Sequence, residues 1–200
     1  MANKLDLLEQ VEVTSRAQWR AWLKKHHTRA EGVWLITYKK AVPEKHVDYA
    51  STVEEALCFG WIDSVPRKLD DERKMLYFCP RKPRSVWSKL NKERIEKLIA
   101  TKRMTAAGLK KIELAKQNGS WTSIDAAEAF EMPPDLQRAL KKNKVALKHY
   151  EAFPPSARKA ILTWVHDAKT DETRKRRIAS TVELAAKNIR ANGQTVKAHR

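Results

Sequence analysis

The chain has 200 residues, of which 42% are hydrophobic and 32% are charged, and seven of them are tryptophan. This size and composition support one domain or two small ones with a real core, and they exclude disorder along most of the chain. The longest apolar stretches fall well short of the roughly 20 residues that cross a bilayer, so no membrane span is expected.

The first residues and the cysteines point to the same compartment. Residues 1–15 lack a basic segment followed by an apolar one, which is the pattern of a secretory signal. Cys58 and Cys79 form neither a CxxC motif nor a cluster with histidine. We expect a cytoplasmic protein in which both thiols are free, with a bridge between them as the alternative.

The net charge of +17 is concentrated in two blocks. Residues 64–116 hold 16 basic and 6 acidic side chains, and residues 133–200 hold the same numbers, whereas the first 63 residues are balanced. Such blocks attract anions, including nucleic acid, anionic lipid and acidic protein surfaces.

The first elements in chain order are a helix, a strand and a second helix. Residues 15–27 predict a helix that Ser15 caps, and residues 33–38 are β-branched and aromatic, which favours a strand. The second helix is predicted to begin near Ser51 or Thr52, in a capping box, and to end at Gly60.

A hairpin and a basic loop follow. Residues 61–69 and 75–79 predict two strands around a polar turn at residues 70–72. Two prolines within residues 80–85 exclude regular structure, so this segment is expected to be an exposed basic loop. Ser88 and Thr105 are predicted to cap the next two helices.

These elements predict an α+β fold with four parts. Residues 1–118 form an α+β domain, in which a small antiparallel sheet packs with helices, and the acidic residues 119–132 form a linker. A C-terminal helical bundle is expected over residues 133–192, its last helix capped by Thr170, and residues 193–200 form a frayed tail.

Three motifs carry a resemblance to a known family. They are the segment from Glu54 to Asp63, the segment from Pro80 to Ser88, and the segment from Thr173 to Ile178. Together they resemble the YdeI/OmpD-associated, or bacteriocin-protection, family. The resemblance implies a front half like the YjbR/CyaY-like proteins, a helical region after it, and a role in resistance to bacteriocins or cationic antimicrobial peptides. It implies no catalytic residues.

The hairpin and its loop are the first candidate site, for an anion or a protein partner. Strand pairing around a turn at Asp71 would bring Asp63 close to Arg81, with guanidinium groups and indole rings nearby. The alternative is that the tryptophans are core, that Asp63 and Arg81 form a structural pair and that the other cations are solvated. The candidate residues are Trp61, Asp63, Arg67, Arg81, Arg84, Trp87 and Lys89.

The last helix is the second candidate. Arg177 and Thr181 follow Arg174 by three and seven residues, which aligns the three side chains in one stripe where a polyanion could lie. Ordinary surface charge is the alternative.

No motif predicts a cofactor, a metal or a catalytic group. The six histidines are not spaced as metal ligands, and the five glycines form no phosphate-binding loop. We therefore expect a non-enzymatic stress or protection protein that binds a protein partner, with nucleic-acid binding through the basic blocks as the alternative. An enzyme is the weakest reading, and its signature would be Asp63 in a concave pocket.

Overall fold

A computed structural model of the protein describes residues 4–191, and the chain divides into two compact units between Trp121 and Thr122. Each unit has a hydrophobic core of its own. The predicted tail, residues 193–200, lies outside the described residues.

The first unit is built on a four-stranded sheet with the order β1-β2-β4-β3. The strands are β1 (Gln10–Glu12), β2 (Val33–Tyr38), β3 (Trp61–Lys68) and β4 (Arg73–Pro80). The pairs β2–β4 and β3–β4 are antiparallel, as expected, but β1 pairs with β2 in parallel. The sheet is therefore mixed, because a three-residue strand that carries one apolar side chain adds to its edge.

Four helices accompany this sheet, and a side-chain oxygen caps each of them. They are α1 (Arg16–His26), α2 (Tyr49–Cys58), α3 (Lys89–Ala100) and α4 (Ala106–Gln117). Ser15, Ser88 and Thr105 cap α1, α3 and α4, as predicted. The predicted start of α2 is wrong, because Asp48 accepts a hydrogen bond from the Ser51 N–H and so begins the helix at Tyr49. Gly60 follows α2 with a φ of 76°, which favours glycine.

The helices cover one face of the sheet. This core includes Trp19, Leu23, Leu35, Leu57 and Phe78, all of them at most 1% exposed. A smaller cluster on Trp34, Ile36 and Met75 has partly buried leucines of the N-terminal segment packed against it. Cys58 and Cys79 are both free thiols.

The second unit is helical in the residues described. It contains α5 (Asp125–Glu128), α6 (Pro134–Lys142), α7 (Lys144–Ala152), α8 (Pro155–His166) and α9 (Asp171–Ala186). Their apolar stripes meet in a core that includes Leu136, Leu140, Tyr150, Ile161 and Val165. The α+β class and the C-terminal helices are thus confirmed.

The segment predicted as a linker, residues 119–132, consists of turns, irregular backbone and one four-residue helix. It contains α5, and Ala127 is 3% exposed within the second core. Small alanine side chains give a weak periodic signal, so a search for large apolar residues overlooks such a helix. Between residues 4 and 191, no helix combines the length and the apolar character that crossing a membrane requires.

Candidate functional site

The loop after β4 holds the most deeply buried of the predicted cations. Arg81 is only 4% exposed; its guanidinium carbon lies 3.5 Å from the centroid of the Trp87 ring, and its Nη1 donates to the Val86 carbonyl at 3.1 Å. Arg84 and Lys89, by contrast, are exposed. Of the cations in this loop region, Arg81 therefore belongs to the packing of the loop and not to its surface.

Arg81 carries its charge without a carboxylate in contact among the described residues. Burial lowers the pKa of Arg81 to about 10, and the nearby Asp63 and Cys79 oppose that shift. The guanidinium stays protonated at neutral pH, and its buried Nε has no hydrogen-bond partner within residues 4–191. The guanidinium group of Arg81 is stabilised by stacking on the Trp87 ring and not by an ion pair.

Both tryptophans of the first candidate site are core residues. Trp61 is fully buried, and its Nε1 donates to the His27 carbonyl at 2.9 Å. Trp87 is 2% exposed, with its ring centroid 5.2 Å from that of Trp121. Neither indole offers an open face on which a base could stack.

Asp63 and Arg81 do not lie opposite each other in the hairpin. The register places Asp63 against Phe78, and an irregularity between Asp63 and Pro66 shifts the pairing in β3. Proline lacks the N–H that a ladder needs, which accounts for a bulge at this point. The structural pair expected between Asp63 and Arg81 is therefore replaced by a longer-range attraction.

Asp63 instead pairs with a tyrosine of α2. The Tyr49 hydroxyl donates to Asp63 Oδ2 at 2.7 Å. Burial and this hydrogen bond raise the pKa of Tyr49 to about 12, so the phenol keeps its proton at neutral pH. Both residues line a cleft of about 360 Å³ between the sheet and the first turn of α2. Arg67 also lines this cleft, and its guanidinium carbon lies 4.7 Å from the ring centroid of Trp34.

The arginines of the second candidate site hold α9 in place. Arg174 forms two hydrogen bonds with the Asp135 carboxylate, at 2.6 and 2.9 Å, and also donates to the Val165 carbonyl. Arg177 donates to the Trp164 carbonyl and lies over its ring. The predicted stripe exists, but it faces α6 and α8.

Sequence reasoning missed the charge cluster around Glu55 in α2. This carboxylate is fully buried; Arg16 Nε donates to it at 2.5 Å, Arg20 Nη1 donates at 2.6 Å, and Arg103 donates as well. Arg16 also pairs with Glu54. The available signal was the spacing of Arg16 and Arg20, which lie one helical turn apart.

The three arginines keep Glu55 ionised. Burial alone would raise the pKa of this carboxyl, but hydrogen bonds from Arg20, Arg16 and Arg103 outweigh burial and lower the pKa. The arginine side chains are 32% to 40% exposed, so the cluster reaches the surface. Its arrangement is that of an ionic tie between α1, α2 and the segment after α3.

Within residues 4–191, no group of three or more histidine, cysteine or acidic side chains is arranged to hold a metal ion. His199, one of the six histidines, lies outside that range. Among the predicted site residues, Arg84 and Lys89 present surface charge, and Asp63 and Arg67 line a cleft. The other five residues are placed in packing or internal bonds.

Comparison with known families divides the chain much as the structure does. A family model described as bacteriocin-protection, YdeI or OmpD-associated matches residues 129–188. The resemblance seen in the sequence is thereby confirmed for the helical unit. A model described as a domain of unknown function, DUF8412, matches residues 11–111, so the expected YjbR/CyaY-like front half is not supported.

Searches against curated proteins and against solved structures found no match. The DUF8412 model spans half of the 200 residues, including two of the three residues of β1, all of β2 to β4, helices α1 to α3 and the first half of α4. The chain therefore belongs to the DUF8412 family and carries, after that domain, a helical region similar to the bacteriocin-protection, YdeI or OmpD-associated family.

Proposed function

We propose that this is a cytoplasmic protection protein that lowers sensitivity to bacteriocins or cationic antimicrobial peptides by binding a protein partner, without a chemical step. The observation that carries the proposal is the match of residues 129–188 to the family described as bacteriocin-protection. The internal bonds of Arg174 and Arg177 support it, because they make α9 a fixed scaffold.

The charge of the chain supports an acidic partner. A protein with a net charge of +17 repels a cationic peptide at long range, so direct capture of the toxic peptide is disfavoured. In α9, Lys175 and Arg176 are exposed beside the inward-facing Arg174 and Arg177. These two cations are the part of the C-terminal unit that we assign to the partner.

The test compares a strain that lacks the gene with the same strain carrying the wild-type gene or the K175E/R176E gene. We expect the deletion strain to be more sensitive to bacteriocin, the wild-type gene to restore resistance, and the charge-reversed gene to fail although its product accumulates normally. Affinity capture with wild-type protein should recover an acidic protein that the variant does not. Equal sensitivity of all strains would refute the proposal.

Nucleic-acid binding is the second candidate, and the exposed cations of the proline-rich loop favour it. Lys82 and Arg84 are both exposed and form no ion pair with a described residue. Each cation that meets a phosphate contributes about 0.9 to the slope of log affinity against log salt. Replacing both with alanine should therefore weaken binding of a DNA or RNA duplex and reduce that slope by about two.

The matched control for this test is K175A/R176A, which removes the same charge from the other unit. An unchanged slope of log affinity against log salt in the loop variant would exclude this candidate. So would the absence of nucleic-acid binding by the wild-type protein at physiological salt.

A further inference from the structure

The cleft beside Asp63 has an apolar floor. It is bounded by β2, β3, β4 and the first turn of α2, and it measures about 360 Å³, within the range of small-molecule sites. Leu35 and Leu76 are directly opposite each other on β2 and β4, and Pro66 is paired with Leu76 from β3. Leu35 is 1% exposed and belongs to the core beneath the floor, so Pro66 and Leu76 provide the surface for apolar groups of a ligand.

Two hydrogen-bond donors meet at one end of the cleft. Thr37 and Lys74 are register partners on β2 and β4, so their side chains share a face of the sheet. Thr37 is 5% exposed, and no residue between 4 and 191 forms a hydrogen bond with its hydroxyl. Lys74 is half-buried and forms no ion pair with a described carboxylate. A hydroxyl group that lines the cleft beside an unneutralised ammonium group suits a carboxylate.

An acceptor lies at the other end. Asp63 is opposite Phe78, four residues beyond Lys74 along β4, which corresponds to about 13 Å. The Tyr49 hydroxyl occupies one oxygen of Asp63 and fixes the carboxylate in place. The second oxygen suits an amine or another cationic donor.

The larger cleft of the first unit, about 700 Å³ beside α4, has an exposed lysine, Lys110, in its lining, but its other basic side chains are engaged. Lys111 donates to the Arg81 carbonyl, Arg29 is paired with Glu9, and His27 is bonded to the Leu23 carbonyl. This cleft therefore does not place an unpaired lysine beside a hydroxyl group and opposite an acceptor, as the smaller cleft does with Lys74, Thr37 and Asp63.

We propose that the smaller cleft binds a short peptide whose two termini are free. Its carboxylate meets Thr37 and Lys74, its α-amine meets Asp63, and its side chains pack on Pro66 and Leu76. Three extended residues span about 10 Å, and the lysine and aspartate side chains bridge the remaining distance. This site lies in the DUF8412 domain and does not depend on the protection proposal.

The probe is the tripeptide Ala-Leu-Ala, titrated by calorimetry into the full chain beside its N-acetylated and its C-amidated forms. We expect the free peptide to bind and each cap to weaken binding about tenfold, because each cap removes one charge-assisted contact.

Two variants, with a third as control, test which side chain contacts each terminus of the peptide. D63N should weaken binding of the free peptide about tenfold but leave binding of the N-acetylated peptide unchanged, because the variant and the acetyl group remove the same contact. K74Q should likewise weaken binding of the free peptide about tenfold and leave binding of the C-amidated peptide unchanged. The control is K68Q, which removes an exposed lysine opposite Lys74 that is already paired with Asp71. Melting temperatures of the variants establish that they are folded.

Binding that neither cap weakens would overturn the proposal. So would the absence of heat and of chemical-shift changes at millimolar peptide, or an equal loss of affinity in K68Q and K74Q.

Discussion

Glu55 is the residue on which most of the ionic stabilisation of the first unit depends. It is fully buried and meets Arg16, Arg20 and Arg103. Replacing it with glutamine keeps the shape but leaves Arg20 and Arg103 without their anion and Arg16 with Glu54 alone, and breaking one side of a buried ion pair costs about 3 to 5 kcal/mol. We expect E55Q to lose about 3 kcal/mol of unfolding free energy in urea denaturation.

The matched control is E54Q, whose carboxylate is 16% exposed and pairs with Arg16. Its loss should be about 1 kcal/mol or less, as is typical of ion pairs near the surface. Equal losses in the two variants would contradict the assigned role of Glu55.

The same carboxylate predicts a pH dependence. The pKa of Glu55 in the folded protein lies below its ordinary value of 4.5, so the unfolded chain takes up the proton first as the pH falls. The stabilisation is complete above pH 4.5 and is lost as the pH falls through the lowered folded-state value. Unfolding free energies from pH 7 to pH 3 should therefore fall less steeply in E55Q than in the wild-type protein.

Arg81 is a packed cation and Arg84 is a solvated one, so replacing each should change the stability by a different amount. R81A loses the stacking on Trp87, worth about 2 kcal/mol when desolvated, and opens a cavity, while relief of an unpaired buried charge offsets part of that loss. We expect R81A to be about 1 to 2 kcal/mol less stable than the wild-type protein in urea denaturation. R84A should stay within about 0.5 kcal/mol.

A third variant, R81M, tests whether lost packing accounts for the lower stability expected of R81A. R81M fills the site with an apolar side chain of similar volume, so it should be at least as stable as R81A and close to the wild-type protein. An R81A protein with unchanged stability would show that the loop does not depend on this stack.

At the scale of elements, α9 is fixed by its arginines. Arg174 ties it to α6 through Asp135, and Arg177 ties it to α8 through the Trp164 carbonyl. R174A/R177A should therefore increase hydrogen–deuterium exchange in α9 markedly, because three hydrogen bonds from the Arg174 guanidinium and one from the Arg177 guanidinium are lost. K175A/R176A removes the same charge from the exposed side of the same helix and should leave exchange in α9 nearly unchanged.

Long periodic elements could be predicted from the sequence, and short ones could not. The run from residue 33 to residue 38 and the helix after Thr170 carry several aligned apolar side chains each, and both are found where expected. Strand β1 has three residues and α5 has four, too few to show a period. The start of α2 was missed because Asp48 and Ser51 both suit a helix cap.

The candidate site was harder to predict, because a basic side chain looks the same in sequence whether it is packed or solvated. Arg81 and Arg84 lie three residues apart in one loop, yet one is buried and the other exposed. Thr37 and Lys74 are far apart in sequence and become neighbours only through the register of β2 and β4. Such pairings depend on tertiary structure, which local patterns do not specify.

At the scale of the whole molecule, the chain joins a DUF8412 domain to a helical unit, and each has its own core. Of the net charge of +17, Arg81 is enclosed, whereas Lys82, Arg84, Lys175 and Arg176 are exposed. The exposed remainder is what an acidic partner would meet, and it disfavours a cationic toxin as the direct ligand.

The most direct test of this account is the survival of the gene-deletion strain under bacteriocin. The account predicts lower survival than in the parent strain, restored by the wild-type gene and not by K175E/R176E. Survival equal to that of the parent strain at every dose would contradict it.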